Sequence, residues 1–183
     1  MAFDHGVVRH YWVARTLETP WNIEPRTMQW RMEETADPSA PLADECFIYK
    51  GQREGIFRGY YFNGNLQYLC TYVNNLIQGV YRSYYESGGI EKEVDYVDGY
   101  YHGEYITYYE SGQIYDKVSM RYNHQHGPCV KYYASGQLWT ECTYKNNRLH
   151  GIYRSYYENG SPYEIIHYDN YEIIGTPVRY LRV

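Results

Sequence analysis

The sequence predicts an all-β protein, an elongated and twisted single sheet built from tandem antiparallel β-hairpins. Three observations carry that prediction. Shifting the chain by 24 residues superposes Gly55, Gly79, Gly103, Gly127, Gly151 and Gly175 without a gap. A period of this size marks a repeat array, in which neighbouring units bury what one unit alone cannot. A second glycine follows each of the first five at offset 9, as Gly64, Gly88, Gly112, Gly136 and Gly160, preceded by Asn63, Ser87, Ser111, Ser135 and Asn159. Asn-Gly and Ser-Gly between runs of Tyr, Ile and Val are hairpin signals, because the turn needs a positive φ that glycine supplies.

Offsets within a unit are counted from its first glycine. The first strand is read from about offset 1 to 6, as in Val80 to Tyr85, and the second from about 11 to 17, as in Leu138 to Tyr144. A two- or four-residue loop centred on offsets 8 and 9 pairs positions whose offsets sum to 17, so that 6 opposes 11, 4 opposes 13 and 2 opposes 15. Polarity selects this even register, since side chains alternate between faces. Offsets 2, 6, 11, 15 and 17 give one apolar face, with Tyr81, Tyr85, Ile90, Val94 and Tyr96 in the second unit. Offsets 12, 14 and 16 give Glu91, Glu93 and Asp95 on a polar one, where Glu91 and Glu93 are placed opposite Tyr84 and Arg82. Offset 4, in the middle of the apolar face, is small in Gly59, Ser83, Thr107 and Ser155, with Lys131 the exception. At roughly 4.8 Å per strand, five hairpins span on the order of 50 Å.

Five full repeats therefore start at residues 55, 79, 103, 127 and 151, within an array read as 45–183 with half units at both ends. Glu45 to Tyr49 reads as the second strand of a truncated unit, and Pro177 to Tyr180 as a first strand. Residues 1–44 stand outside the array as a non-repeat cap or arm, with Trp12, Trp21 and Trp30 read as covering the array. Val7 to Val13 and Met28 to Met32 are candidate strands there, and Glu33 to Asp44 a linker.

Composition narrows the function. The chain has 27 Tyr beside 4 Phe and 4 Met, so its apolar mass carries hydroxyls that need partners or water. The net charge of −5 is evenly spread, with 6 basic and 9 acidic groups in residues 1–54 and 11 and 13 in the remainder. Without a basic patch the chain is read as binding no nucleic acid, and the acidic balance disfavours a membrane surface. No apolar stretch is long enough to span a bilayer and no leader pattern opens the chain, so a soluble cytoplasmic protein is expected. Cys46, Cys70, Cys129 and Cys142 lack C-x-x-C spacing and read as small core side chains.

No catalytic or metal site is expected, and no cofactor. His102, His126 and His150 recur at offset 23, about 10 Å apart, beyond the roughly 2 Å reach of a shared ligand sphere. His124 and His126 on a turn make a weak pair. The feature singled out for function is the tyrosine column at offset 5, Tyr60, Tyr84, Tyr108, Tyr132 and Tyr156, expected on the polar face beside the offset-3 residues Arg58, Arg82, Ile106, Val130 and Arg154. Aromatic and arginine side chains in a line are the composition of binding hot spots.

The string G-x-Y-x-S-Y-Y-E-S-G-x-I, from Gly79 to Ile90 and nearly again from Gly103 to Ile114, resembles MORN repeats. It is closest to the variant in bacterial YwqK-type antitoxins and in repeat proteins of large DNA viruses. The resemblance covers about residues 45–180. It implies a twisted sheet of hairpins with protein-binding or scaffolding roles, no cofactor and no catalytic residues. An antitoxin-like inhibitor of a protein partner falls within it. A structural assembly protein, self-associating as a homo-oligomer or virion component, is the alternative, and phosphoinositide-membrane attachment is a third.

Overall fold

The computed structural model describes residues 5–11 and 41–181. Its strands, in chain order, are β1 (His5–Tyr11), β2 (Leu42–Tyr49), β3 (Gln52–Tyr60), β4 (Leu66–Val73), β5 (Leu76–Tyr84), β6 (Ile90–Val97), β7 (Tyr100–Tyr108), β8 (Ile114–Arg121), β9 (His124–Tyr132), β10 (Leu138–Lys145), β11 (Arg148–Leu149), β12 (Gly151–Tyr156), β13 (Pro162–Asp169), β14 (Glu172–Ile173) and β15 (Val178–Arg179). They form one antiparallel meander in which each strand pairs with its sequence neighbour, with short β11 beside β10 and short β15 beside β13.

Two kinds of turn alternate along it. Between units, both central residues have positive φ: Lys50 and Gly51, Asn74 and Asn75, Asp98 and Gly99, Tyr122 and Asn123, Asn146 and Asn147, Asn170 and Tyr171, all between 48° and 78°. This is the type I′ hairpin turn, whose twist matches that of the flanking strands. Within units, the Gly88 amide donates to the Tyr85 carbonyl and the Tyr85 amide to the Gly89 carbonyl, and Gly88 sits at φ 96°. That is a three-residue loop, a type I turn followed by a left-handed glycine.

The even register predicted for the hairpin body is present, as Tyr81 opposes Val94 and Ser83 opposes Lys92. Near the turn the prediction fails. Tyr84, at offset 5, opposes Ile90, at offset 11, and Glu91 is left over as a bulge. The three-residue loop shifts the register by one, and the bulge shifts it back. Two corrections follow. Offset 11 shares a face with the offset-5 tyrosines, not with offset 6. Offset 12 turns to the core face, where Glu91 accepts from the Ser83 hydroxyl at 2.8 Å and Tyr115 lies under the Lys131 ammonium at 5.8 Å.

The first strand of each unit is longer than predicted, because it begins before the glycine. Between Leu69 opposite Arg82 and Thr71 opposite Gln78, β5 carries two extra residues, and Gly79 within this bulge has φ 74°. The same irregularity recurs at Gly103 and Gly127, and the left-handed backbone explains the glycine at offset 0.

The core is a thin line along one face. Cys46, Cys70, Val94, Val118 and Ile166 at the offset-15 position are buried, with Gly59, Ser83 and Ser155 at offset 4. The small residues make room for rings: a Cβ on Gly59 would run into the Tyr68 ring.

At the start of the array, Gly6 opposes Ile48, Val8 opposes Cys46 and Arg9 opposes Glu45, with a register shift at His10 and Tyr11. This repeats the pairing of Gly79 with Tyr96, Tyr81 with Val94 and Arg82 with Glu93. β1 and β2 are thus paired as the two strands of one unit. β2 begins at Leu42, just before the boundary read from sequence at residue 45. Trp12, Trp21, Trp30 and the Met28 to Met32 segment lie outside the described residues.

Candidate functional site

Two hydrogen-bond ladders join unit to unit and leave one face open. On one edge, each offset-6 tyrosine hydroxyl donates to the main-chain carbonyl of the next unit's offset-5 residue. Tyr61 reaches Tyr84 O at 2.7 Å, Tyr85 reaches Tyr108 O at 2.5 Å, Tyr109 reaches Tyr132 O at 2.8 Å and Tyr133 reaches Tyr156 O at 2.8 Å. On the other edge, turn asparagines dock on the preceding unit. Asn75 Oδ1 accepts from the Arg53 amide at 2.6 Å, Asn123 Oδ1 from Tyr101 at 2.8 Å and Asn147 Oδ1 from Gln125 at 2.7 Å. Sequence reading missed both ladders, although the recurring offset-6 Tyr and the Asn at offset 20 are their signals.

The open face carries offsets 1, 3, 5, 11, 14 and 16. The structure places all five predicted tyrosines, Tyr60, Tyr84, Tyr108, Tyr132 and Tyr156, on it half-buried, as it does Arg58, Arg82 and Arg154. The expected division into a buried offset-6 column and an exposed offset-5 column gives way to two half-buried columns, because Leu66, Ile90, Ile114 and Leu138 stand opposite the offset-5 rings. With Ile106 and Val130 at offset 3 and Leu69 at offset 14, this face is amphipathic, not polar. Ile56, Val80 and Ile152 at offset 1 are 41–49% exposed on it.

Its charges are organised by the acidic residues at offset 14. Arg82 Nε donates to Glu93 Oε1 at 2.6 Å, and the Tyr108 hydroxyl donates to Glu93 Oε2 at 2.6 Å. Glu45 receives Tyr60 at 3.3 Å and Arg58 at 3.1 Å, while Glu141 receives Tyr156 at 2.8 Å and Arg154 at 3.2 Å. Glu91 and Glu93 are therefore not a matched pair: Glu93 anchors Arg82 as read from sequence, while Glu91 has turned to the other face. The Tyr108 hydrogen bond, reinforced by Arg82, holds the Glu93 carboxyl below its ordinary range. Burial and then the Glu93 hydrogen bond push the Tyr108 hydroxyl up to about 12. Burial and the facing carboxylate likewise raise Tyr60 and Tyr156.

The clusters occur in every second unit. At the intervening positions the offset-14 residue is Leu69 or Lys117, and the neighbouring Tyr84 and Tyr132 hydroxyls have no hydrogen-bond partner among the described residues. Two shallow depressions among the described residues are lined in part by side chains of this face. One, of about 190 Å³, is lined by Val80, Arg82, Glu93, Asp95, Glu104 and Ile106. The other, of about 500 Å³, is lined by residues including His102, Glu104, Ser119, Arg121 and His126. The open face thus offers rings, two free phenolic hydroxyls, apolar patches and arginines fixed by carboxylates.

The sequence model of the MORN repeat variant matches residues 53–74, 77–98, 101–121, 125–146 and 149–170. The match does not distinguish antitoxin-type from viral members. No curated protein matches the chain. Repeats of this kind are in general interaction or binding modules without catalytic function. Each match covers the two strands of one hairpin and stops at the type I′ turn that follows, and on these five tandem matches the chain belongs to the MORN repeat variant family.

Proposed function

We propose that the chain is a non-enzymatic protein-interaction module, a scaffold that captures its partner on the open face. The observation that supports this reading is the asymmetry of the sheet. One face closes on its own line of buried side chains, and the other keeps rings and apolar residues half exposed beside fixed arginines. Tyr84 and Tyr132 are the anchors, since their hydroxyls are free to bond across an interface and each ring has an aliphatic side chain, Ile90 or Leu138, directly opposite. The Arg82 and Glu93 cluster between them supplies charge held in one geometry, so little side-chain entropy is lost when a partner meets it.

The test uses photo-crosslinking. A benzophenone side chain placed at Tyr84 or Tyr132 of the intact chain, irradiated in a lysate of the source cell, is expected to yield a discrete adduct. The same group at Phe62, on the turn edge, is expected to yield none. Equal labelling from Phe62, or adducts from Phe62 alone, overturns the reading.

A further inference from the structure

We infer that Cys129 and Cys142 form a reactive dithiol site that small peroxides oxidise to a cross-strand disulfide. The repeat supplies its own controls. The residues at offsets 2 and 15 are directly opposed in every unit: Val8 with Cys46, Phe57 with Cys70, Tyr81 with Val94, Tyr105 with Val118 and Tyr153 with Ile166. In the fourth full unit the pair is Cys129 with Cys142. A thiol stands where the other full units place an aromatic ring, and it faces a second thiol.

Two further departures from the repeat lie on the same strand. Offset 4, small in the other full units, is Lys131. Its ammonium acts on both cysteines and favours the thiolate in each. Offset 1 is Pro128, which takes one amide donor out of the strand beside Cys129. The geometry suits a disulfide, because residues directly opposed in an antiparallel ladder have Cα atoms about 4.5 to 5.5 Å apart, within the span of about 4.4 to 6.8 Å that a disulfide bridges. Cys129 is buried while Cys142 is partly exposed, so a reagent little larger than water reaches the pair.

The thiols titrate as a unit. The hydrogen bond between them holds Cys129 below its ordinary value and raises Cys142, which burial raises further. The thiolate of the pair attacks one peroxide oxygen, the O–O bond breaks, and hydroxide leaves to be protonated to water. The remaining thiol then attacks the sulfenic sulfur and a second water is lost. Two thiols become one disulfide and one peroxide becomes two waters. Lys131 is a positioning residue here, since it stabilises the thiolate without touching the peroxide oxygens.

The intact chain is treated with one equivalent of hydrogen peroxide, and its mass and alkylated peptides are read. The expected product is lighter by two hydrogens, contains a peptide linking Cys129 to Cys142, leaves Cys46 and Cys70 alkylated, and is restored by dithiothreitol. Lys131→Ser, which installs the residue of the second and fifth units, is expected to slow the reaction by roughly threefold or more at neutral pH. Cys129→Tyr restores the ring of the other units, so it keeps the fold and is expected to show no mass loss. A chain that keeps all four thiols, links Cys46 or Cys70 instead, or reacts at the same rate with Ser at position 131 overturns the inference.

Discussion

The Tyr85 hydroxyl donates to the main-chain carbonyl of Tyr108 at 2.5 Å, so a side chain from one unit fixes the backbone that carries the next unit's half-buried ring. The same bond recurs from Tyr61, Tyr109 and Tyr133, which makes it a spine and not a local accident. Tyr85→Phe removes the donor and keeps the ring. Each such change is expected to lower stability by about 1 kcal/mol and the melting temperature by about 3 °C. Thermal denaturation followed by circular dichroism checks it, and an unchanged melting point for the Tyr85, Tyr109 and Tyr133 triple variant contradicts the spine.

Gly59 and Tyr68 are matched to each other. Ser83 holds the equivalent position opposite Lys92, yet serine at 59 would drive its Cβ into the Tyr68 ring. Gly59→Ser is expected to cost about 1–3 kcal/mol by overpacking. Adding Tyr68→Lys, which rebuilds the second unit's pair, is expected to recover most of that loss. Chemical denaturation of the two variants decides the matter.

The Glu93 cluster sets the acid limb of stability. Its carboxyl lies below the ordinary range in the folded chain, so near pH 4 the native state binds fewer protons than the unfolded one. The stabilisation is present above the unfolded value and is lost as the pH falls through the folded one. Glu93→Gln is therefore expected to be less stable than the parent at neutral pH and to converge with it below about pH 4. Parallel unfolding curves at both pH values contradict the assignment.

The alkaline limb has the opposite sign. Burial pushes Tyr68, Tyr81 and Tyr144 up to about 12, and burial with the Glu93 hydrogen bond does so for Tyr108. Their stabilisation is complete below the ordinary phenol value and is lost as the pH climbs from about 10 to about 12. Phenolate absorbance and circular dichroism are expected to change together over that window. Ionisation of all tyrosines near pH 10 with the sheet intact contradicts it.

Much of this was legible in the sequence because the repeat acts as its own alignment. Gly88 and its equivalents announced the turn, and the apolar alternation from Tyr81 to Val94 fixed the register of the hairpin body. What was not legible is how a type I turn with its glycine changes the count, because the compensating bulge at Glu91 leaves no residue-type signal: Glu91, Tyr115 and Trp139 all occupy that offset. That one step moved offset 12 to the core face and brought Ile90 opposite Tyr84. The split of the tyrosine column into carboxylate-bound and free hydroxyls depends on the offset-14 residue of the preceding unit, a contact that appears only when strands are paired across unit boundaries. The strand read over Val7 to Val13 is present as His5–Tyr11, but its place in the array escaped because residues 12–41 separate it from its partner in the chain and break the 24-residue spacing.

The most direct test of the account pairs folding with capture in one variant. Tyr84→Ala with Tyr132→Ala removes the two free-hydroxyl anchors while leaving the core line and both ladders untouched, since the Tyr61 and Tyr109 hydroxyls bond to main-chain carbonyls that alanine retains. The account predicts a cooperative melt within about 5 °C of the parent and loss of the adduct from a benzophenone placed at Tyr108. A variant that unfolds at room temperature makes those rings core, and a folded variant that keeps the adduct in full shows that the open face does not dock through them.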